Sequence, residues 1–366
     1  MVAKRILSLD IGSGTVDVLY YVTAEDGGPC AEPENLPKFV LPSPAQRVAA
    51  RVRELTAAGK GIYLHGENMG GGFFRSVSAH LKAGLPAAAH PDAAWALSDD
   101  PVRLESMGIE ITTAPPAGFI PVHTADYEPG YWNGLLAMCG LEPPDMILAS
   151  AQDHGYHPTG SNRLGRFVIW RNLLSCDGGR LDSLFYEQAP ESLTRLVTLQ
   201  RAIGGGPVAD TGAAAVLGAL FDPQVAALSE RTGVMVVNAG NSHFLAFLVY
   251  RQRIYGVYEH HTGMQKPEAI ASDLDRFRRG EIANEEVLES GGHGVHTVEL
   301  PGGGVGFGHI CVMGPRRRLA NEALRQDAGR YAGIMHPAPG GDMMIAGCFG
   351  LVSGYYMTRR NGETGD

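Results

Sequence analysis

A strand, a glycine turn and a second strand open the chain, and this pattern constrains the fold more than any other feature. An apolar run ends at Asp10, the turn is Gly12-Ser13-Gly14-Thr15, and residues 16–22 are again apolar. The backbone N–H groups and hydroxyls of such a turn can hold phosphate oxygens, and a carboxylate beside it can hold the accompanying metal ion. The pattern therefore predicts a nucleotide phosphate site or, as an equal alternative, a β-hairpin with an Asx-type turn.

Size and charge narrow the class of protein. The chain has 366 residues, enough for two domains with full cores, and its 44% hydrophobic and 19% charged residues are typical of a soluble globular protein. The net charge is −9 and the longest basic run is residues 316–318, which argues against a nucleic-acid partner. No apolar run approaches a membrane span and the N-terminus does not resemble a signal peptide. We therefore expect a cytoplasmic protein without a membrane partner.

The cysteines do not form a recognisable cofactor motif. They lie far apart in the sequence, at Cys30, Cys139, Cys176, Cys311 and Cys348. An odd number of isolated cysteines in a cytoplasmic protein predicts free buried thiols. The three-cysteine cluster that would hold an iron–sulfur centre is absent from the sequence.

The order of elements in the first part of the chain recurs in the second. Residues 234–238 are a predicted strand, residues 239–243 a turn and residues 244–249 another strand. Helices and further strands follow in both halves, so that each has the order β-β-β-α-β-α-β. This order predicts two α/β domains, each a mixed five-stranded sheet with helices on both faces, and a ligand cleft between them.

The predicted boundaries follow from this repeat. We expect an N-terminal domain over residues 1–160 with an insertion at about 73–129, a helical connecting region over 161–230, and a C-terminal domain over 231–366. Residues 61–65 are predicted to be the fourth strand of the first domain. Residues 342–346 are predicted to be the last strand of the second domain, and residues 351–359 its closing helix.

Three motifs give the chain a resemblance to a known superfamily. Residues 10–15 (DIGSGT) resemble the first phosphate loop of the acetate and sugar kinases, Hsp70 chaperones and actin, and residues 238–243 (NAGNSH) resemble the second. Residues 345–350 (IAGCFG) resemble the adenosine motif. The resemblance implies two ribonuclease H-like domains of the actin-like ATPase kind. It also implies that ATP and Mg²⁺ bind in the cleft, for phosphoryl transfer to a small molecule or for ATP hydrolysis coupled to domain closure.

The resemblance also implies roles for individual residues. Asp10 would hold Mg²⁺ through water, and Asn238 stands where the second loop usually has an aspartate, so it brings no charge to the metal. Gly347 and Gly350 would lie near the base and ribose. The residues expected to line the phosphates are Gly12, Ser13, Gly14, Thr15, Gly240, Asn241 and Ser242.

Three further segments resemble a narrower family. Residues 65–72 (HGENMGGG), 152–158 (QDHGYHP) and 210–214 (DTGAA) are similar to a small prokaryotic family named as a pyruvate formate-lyase activating enzyme. That name implies radical chemistry at a clustered three-cysteine site, which this sequence lacks.

A general base should lie at a strand end that faces the cleft. Asp153 is the first candidate because it follows the predicted strand 146–150, and Glu67 is the second. The alternative for Asp153 is that it caps the turn that follows. Arg163, Arg166 and Arg171 are candidates for binding an anionic substrate, or are solvated surface residues.

Thirteen histidines raise the possibility of a metal site. His154 and His157 lie beside Asp153, Glu259-His260-His261 ends a strand, and His293 and His296 lie in a glycine-rich loop. Such groups can bind zinc or iron, although neighbouring residues of a strand point to opposite faces.

The sequence leaves three functions open. They are an ATP-dependent kinase or ATPase acting on a small-molecule substrate, a non-catalytic nucleotide sensor that regulates another enzyme, and a metal-dependent hydrolase that uses the histidine-rich loops. A homodimer is also left open.

Overall fold

The computed structural model describes residues 3–157, 162–326 and 328–363. Pro158 and the predicted domain boundary at 160/161 lie outside the described residues.

The strands are numbered along the chain. They are β1 (Arg5–Ile11), β2 (Thr15–Val22), β3 (Lys38–Pro42), β4 (Ile62–Gly66), β5 (Ala87–Ala89), β6 (Ile109–Ile111), β7 (Ile120–Thr124), β8 (Met146–Ala151), β9 (Phe185–Tyr186), β10 (Val208–Ala209), β11 (Val234–Ala239), β12 (His243–Tyr250), β13 (Arg253–His261), β14 (Gly294–Thr297), β15 (His309–Met313) and β16 (Gly333–Met335).

The α-helices are numbered in the same way. They are α1 (Pro44–Ala57), α2 (Phe74–Lys82), α3 (Pro91–Ala94), α4 (Pro101–Ser106), α5 (Pro129–Met138), α6 (Asn162–Ser175), α7 (Thr194–Ala202), α8 (Thr211–Ala219), α9 (Pro223–Arg231), α10 (Pro267–Phe277), α11 (Asn284–Glu289), α12 (Arg317–Gln326) and α13 (Ala346–Glu363).

Two large sheets have the same central order. The first runs β3-β2-β1-β8-β10-β9 and the second β14-β13-β12-β11-β15-β16. In each, three antiparallel strands in sequence are followed by a strand that pairs in parallel with the first, β8 with β1 and β15 with β11. The predicted pair of ribonuclease H-like domains, the actin-like fold, is therefore confirmed. Each sheet also carries an additional edge strand, β9 or β14.

A third, parallel sheet was not predicted. Its order is β6-β5-β4-β7, so the strand predicted at residues 61–65 forms, but in this sheet. The prediction that it joins the first sheet is wrong, because β8 takes the place beside β1. The alanine run of β5 is fully buried, since α-helices cover the parallel strands, which read as apolar on both faces.

Two helices rich in small residues join the large domains. Helix α8 follows β10 and α13 follows β16, and they share one hydrophobic core with residues of both large sheets. A Cβ at Gly218 would overlap the carbonyl oxygen of Ala346, and one at Gly350 would overlap that of Ala214. The two backbones therefore touch, which only glycine permits at these positions.

The end of the chain differs from the prediction. Residues 342–346 do not form a strand: the Asp342 side chain accepts a hydrogen bond from Met344 N, a 3-10 turn covers Met343–Ile345, and α13 begins at Ala346. A short apolar run is equally compatible with a buried strand and a buried helix. The fifth strand of this domain is β16 instead.

The length and apolar character of the helices in the described residues bear on whether one of them could span a membrane. No single helix there has the length and apolar character to cross a membrane; α8 and α9 meet those criteria only when taken together, across a bend of 91°.

Candidate functional site

The two glycine turns are built alike. Gly12 N donates to the Thr15 carbonyl at 2.9 Å, and Gly240 N donates to the His243 carbonyl at 2.9 Å. The strands on either side pair in equivalent register, with Asp10 opposite Asp17 in the first hairpin and Asn238 opposite Leu245 in the second. The first hairpin thus presents two carboxylates where the second has an amide and an apolar side chain.

The two turns meet face to face. The Ser13 and Ser242 hydroxyl oxygens are 2.7 Å apart. A Cβ at Gly14 would lie 2.5 Å from Asn241 Nδ2. The loops therefore touch directly through their side chains.

A pair of carboxylates, the partly buried Asp10 and the buried Asp17, lies behind the first turn. Burial raises the pKa of Asp10 to about 7. A 2.7 Å hydrogen bond from the Ser150 hydroxyl acts in the opposite direction and lowers that pKa. Burial and the nearby Asp10 raise the pKa of Asp17 to about 8, and Asp17 Oδ1 has no hydrogen-bond partner among the described residues. Two carboxylates opposite each other on antiparallel strands repel, so the pair is suited to a cation.

Asp17 was missed by the sequence reasoning. The signal in the sequence was a charged residue inside the otherwise apolar strand β2. The structure adds that Asp17 is only 7% exposed and faces Asp10.

A cleft cavity between the large domains collects most of the predicted ligand-binding residues. A Cβ at Gly347 would overlap Asp10 Oδ2, so this glycine lets α13 approach the carboxylate. Gly350, expected near the base and ribose, does not line this cavity and serves the packing of α13 on α8. The predicted residues that line the cavity are Asp10, Gly12, Ser13, Thr15, Asn238, Gly240, Asn241, Ser242 and Gly347.

A second cavity of about 380 Å³ adjoins the first and shares Ser13, Ser242 and His243 with it. The three segments that carry the narrower family resemblance meet here: its lining includes residues 68–72, residues 152–155 and Thr211. This volume falls within the range of small-molecule sites, about 300–1,000 Å³.

The two candidate general bases have other partners. Asp153 is buried and lines the second cavity, but its Oδ1 accepts from Gly155 N at 2.8 Å and its Oδ2 from Leu196 N at 3.0 Å. Its Oδ1 thus caps the turn that follows it, as in the alternative interpretation, and its Oδ2 also binds the first turn of α7. Glu67 lines neither cavity and pairs with the exposed Arg201 at 3.3 Å.

Two of the three candidate arginines donate hydrogen bonds to other residues of the protein. Arg166 is fully buried and forms a bidentate pair with Asp210 at 2.5 and 2.9 Å and a 3.2 Å contact with Glu259. Arg163 donates to the carbonyls of Leu288 and Gly292. Neither is free to bind an anionic substrate, whereas Arg171 is exposed.

Three of the histidines converge. His243, His261 and His293 have ligand atoms all within 4.8 Å of one another. The His154 ring lies 6.0 Å from that of His243 and 6.4 Å from that of His293. His260, next in sequence to His261, contacts the Ser290 hydroxyl instead.

The cysteines carry no shared site. All five are free, and Cys311 and Cys348 are buried as predicted, but Cys139 and Cys176 are exposed, so the prediction of buried thiols is wrong for those two.

Solved structures with some similarity cover nearly the whole chain. Ethanolamine utilization protein EutJ from Carboxydothermus hydrogenoformans is 11% identical, with 96% of this chain and 90% of that one covered and a TM-score of 0.28. An exopolyphosphatase-like protein is 10% identical, with 98% and 89% covered and a TM-score of 0.30. The Aquifex aeolicus member of the Ppx/GppA family is 10% identical, with 97% and 89% covered and a TM-score of 0.28. TM-scores this low do not establish a common fold, which here follows from the strand order.

Similarity in sequence identifies the family of the chain, which the solved structures do not. No curated protein matches the chain. A family model described as "Putative pyruvate format-lyase activating enzyme (DUF1786)" matches residues 69–319, a span that includes residues 152–155 and Thr211 of the second cavity and the turn at residues 240–243. Because this match covers more than half of the 366 residues, the chain belongs to the family of that description.

Proposed function

We propose that the protein binds ATP with Mg²⁺ in the cleft between its two large domains. The observation that carries the proposal is the pair of equivalent glycine turns, one from each domain, that meet at the 2.7 Å contact of Ser13 with Ser242. Backbone N–H groups and hydroxyls of both turns would hold the phosphates once the contact between Ser13 and Ser242 opens. The base and ribose would lie toward Gly347.

The residues behind the first turn fit a divalent cation. Asp10 and Asp17 face each other across the hairpin, both have a raised pKa, and Asp17 Oδ1 lacks a hydrogen-bond partner within the described chain. Mg²⁺ prefers carboxylate oxygens and water, and is usually held by one or two carboxylates together with substrate phosphates. Magnesium would neutralise charge on the phosphates and relieve the repulsion between the two carboxylates.

Binding would require the domains to open and close. The turns touch through Ser13 and Ser242, so a triphosphate between them would separate them and then hold them at a new distance. Such movement of one domain relative to the other is a common way to couple a ligand to a change of shape.

Two outcomes of binding are supported by different observations. Phosphoryl transfer to a small molecule, or ATP hydrolysis, is favoured by the second cavity, which adjoins the turns and has the volume of a small-molecule site. A non-catalytic sensor that regulates another enzyme is favoured by Asn238, which adds no charge, and by Asp153, whose two oxygens are already bonded to backbone N–H groups.

The test is the thermal unfolding of the full chain with and without ATP and Mg²⁺. Ligand at a hundredfold excess over its Kd stabilises a protein by about 2.7 kcal/mol. We expect Asp10→Ala to abolish this stabilisation and Glu67→Gln, outside both cavities, to preserve it. Equal stabilisation of Asp10→Ala and wild type would refute the proposed site. Turnover assays with sugars, acids and polyols would then separate an enzyme, which consumes ATP, from a sensor, which only binds it.

A further inference from the structure

Three neighbouring strands bring three histidines to one end of the second sheet. His243 begins β12 and His261 ends β13, and these two residues are directly opposite in the antiparallel ladder. His293 precedes β14, and its backbone N–H donates to the Glu259 carbonyl of β13 at 2.9 Å. His243 and His261 thus stand on paired strands, which position ligands more accurately than loops do, and the backbone of His293 is tied to β13 by this hydrogen bond.

The rings converge closely. The ring centroid of His293 lies 4.6 Å from that of His243 and 4.6 Å from that of His261. Nitrogens bound to one tetrahedral zinc ion at about 2.0–2.1 Å lie about 3.3 Å apart. With the ligand atoms already within 4.8 Å of one another, the required approach is at most about 1.5 Å.

The ring nitrogens of His293 are buried and free of hydrogen bonds within the described residues. The residue as a whole is 2% exposed. Buried polar groups are nearly always hydrogen-bonded, so an exception calls for an explanation.

A buried carboxylate orients His243. Glu259 is fully buried, and its Oε1 accepts from His243 Nδ1 at 2.8 Å. Arg166 and Trp170 also donate to Glu259 and fix the position of its carboxylate. A carboxylate on one nitrogen of a histidine, with the other nitrogen left for metal, is the usual arrangement around protein-bound zinc.

We propose that His243 Nε2 and one ring nitrogen each of His261 and His293 bind a divalent transition-metal ion of the zinc class. Imidazole ligands suit zinc, iron, cobalt, nickel and copper, and disfavour Mg²⁺ and Ca²⁺. The site is distinct from the carboxylate pair proposed for magnesium, and the inference does not depend on nucleotide binding.

The placement indicates what the metal would do. Three protein ligands leave a coordination position open, as in catalytic zinc sites. His243 lines both cleft cavities, and His154 lines the second one. A small molecule in the second cavity could therefore reach the open position through an oxygen or nitrogen atom.

The experiment is metal binding by the purified full chain. After treatment with a chelator, the protein would be titrated with Co²⁺, followed by visible absorption, and its zinc content measured by elemental analysis after reloading. We expect one ion per chain and the intense visible bands of four- or five-coordinate cobalt. His261→Ala and His293→Ala should each lose at least tenfold in affinity, and Glu259→Gln should lose about 10–100-fold because it orients a ligand.

The matched control is His296→Ala, on β14 and outside the cluster, which should bind as wild type does. His261 is partly exposed, so its variant decides the matter if His293→Ala does not fold by circular dichroism. Absence of binding by folded wild type, or wild-type affinity in His261→Ala, would overturn the proposal. Asp10→Ala should keep the cobalt spectrum, so that failure of the nucleotide proposal and failure of the metal proposal remain distinguishable.

Discussion

Replacing Asp17 by asparagine should remove a pH-dependent loss of stability located in the cleft. Asp17 is 7% exposed, faces Asp10 across the β1–β2 hairpin, and has a pKa raised from its ordinary value of 3.8 to about 8 by burial and by Asp10. An asparagine has nearly the same shape but no charge to bury. The comparison therefore isolates the cost of ionising this carboxyl group in the folded protein.

The sign and size follow from proton linkage. Between the unfolded pKa and the folded pKa, the folded protein keeps a proton that the unfolded chain releases, so stability falls as pH rises. For a folded pKa of about 8, the loss from Asp17 between pH 5 and pH 8 is about 3–4 kcal/mol. Asp17→Asn should lack this part of the slope and should gain stability over wild type as the pH is raised.

The assay is urea unfolding, followed by circular dichroism, at several pH values from 5 to 8. The matched control is Asp177→Asn, which alters an exposed carboxylate and should change the free energy of unfolding by less than about 0.5 kcal/mol. If Asp17→Asn shows the same slope as wild type, the carboxylate is not ionised at a cost in the folded state. The case for a cation-seeking pair would then fail.

Two further predictions concern packing. Arg166→Met should lower the free energy of unfolding by about 3–5 kcal/mol, because it leaves Asp210 and Glu259 buried without their cation; Arg171→Met, at an exposed position, should change it by less than about 0.5 kcal/mol in the same urea titration. Gly350→Ala should lower the free energy of unfolding by about 1–3 kcal/mol because the new methyl group meets the Ala214 carbonyl. The thermal stabilisation by ATP should persist in this variant. Loss of that stabilisation in a folded variant would indicate that Gly350 contacts the ligand.

The order of elements was predictable because it depends on local patterns. Apolar runs broken by glycine turns located both hairpins, and Ser43 followed by Pro44 marked the start of α1, where the Ser43 hydroxyl accepts from Gln46 N. The pairing of strands within each sheet was harder to predict from the sequence. The apolar run of β4 is compatible with either sheet, and only the packing decides that it pairs with β5 and β7 while β8 pairs with β1.

The same division applies to the candidate site. Asp10 and the turn residues were identified because the motif is contiguous, whereas Asp17 required knowing which strand residue faces Asp10. The use of Asp153 was decided by α7, which begins about forty residues later and presents Leu196 N to the carboxylate. The three histidines that converge come from separate segments. From the sequence, His261 and His293 were placed in two different groups, and His243 was not named as a metal ligand.

By itself, the sequence determined two repeated sets of strands and helices and the chemistry of their glycine turns, since hydrophobic periodicity and turn formation act over a few residues. Only the tertiary structure decided that the turns touch, that Asp10 and Asp17 share a buried face, and that His243, His261 and His293 converge. Those features arise from contacts between residues far apart in the chain, whose burial and mutual charge exist only once the sheets and helices have packed.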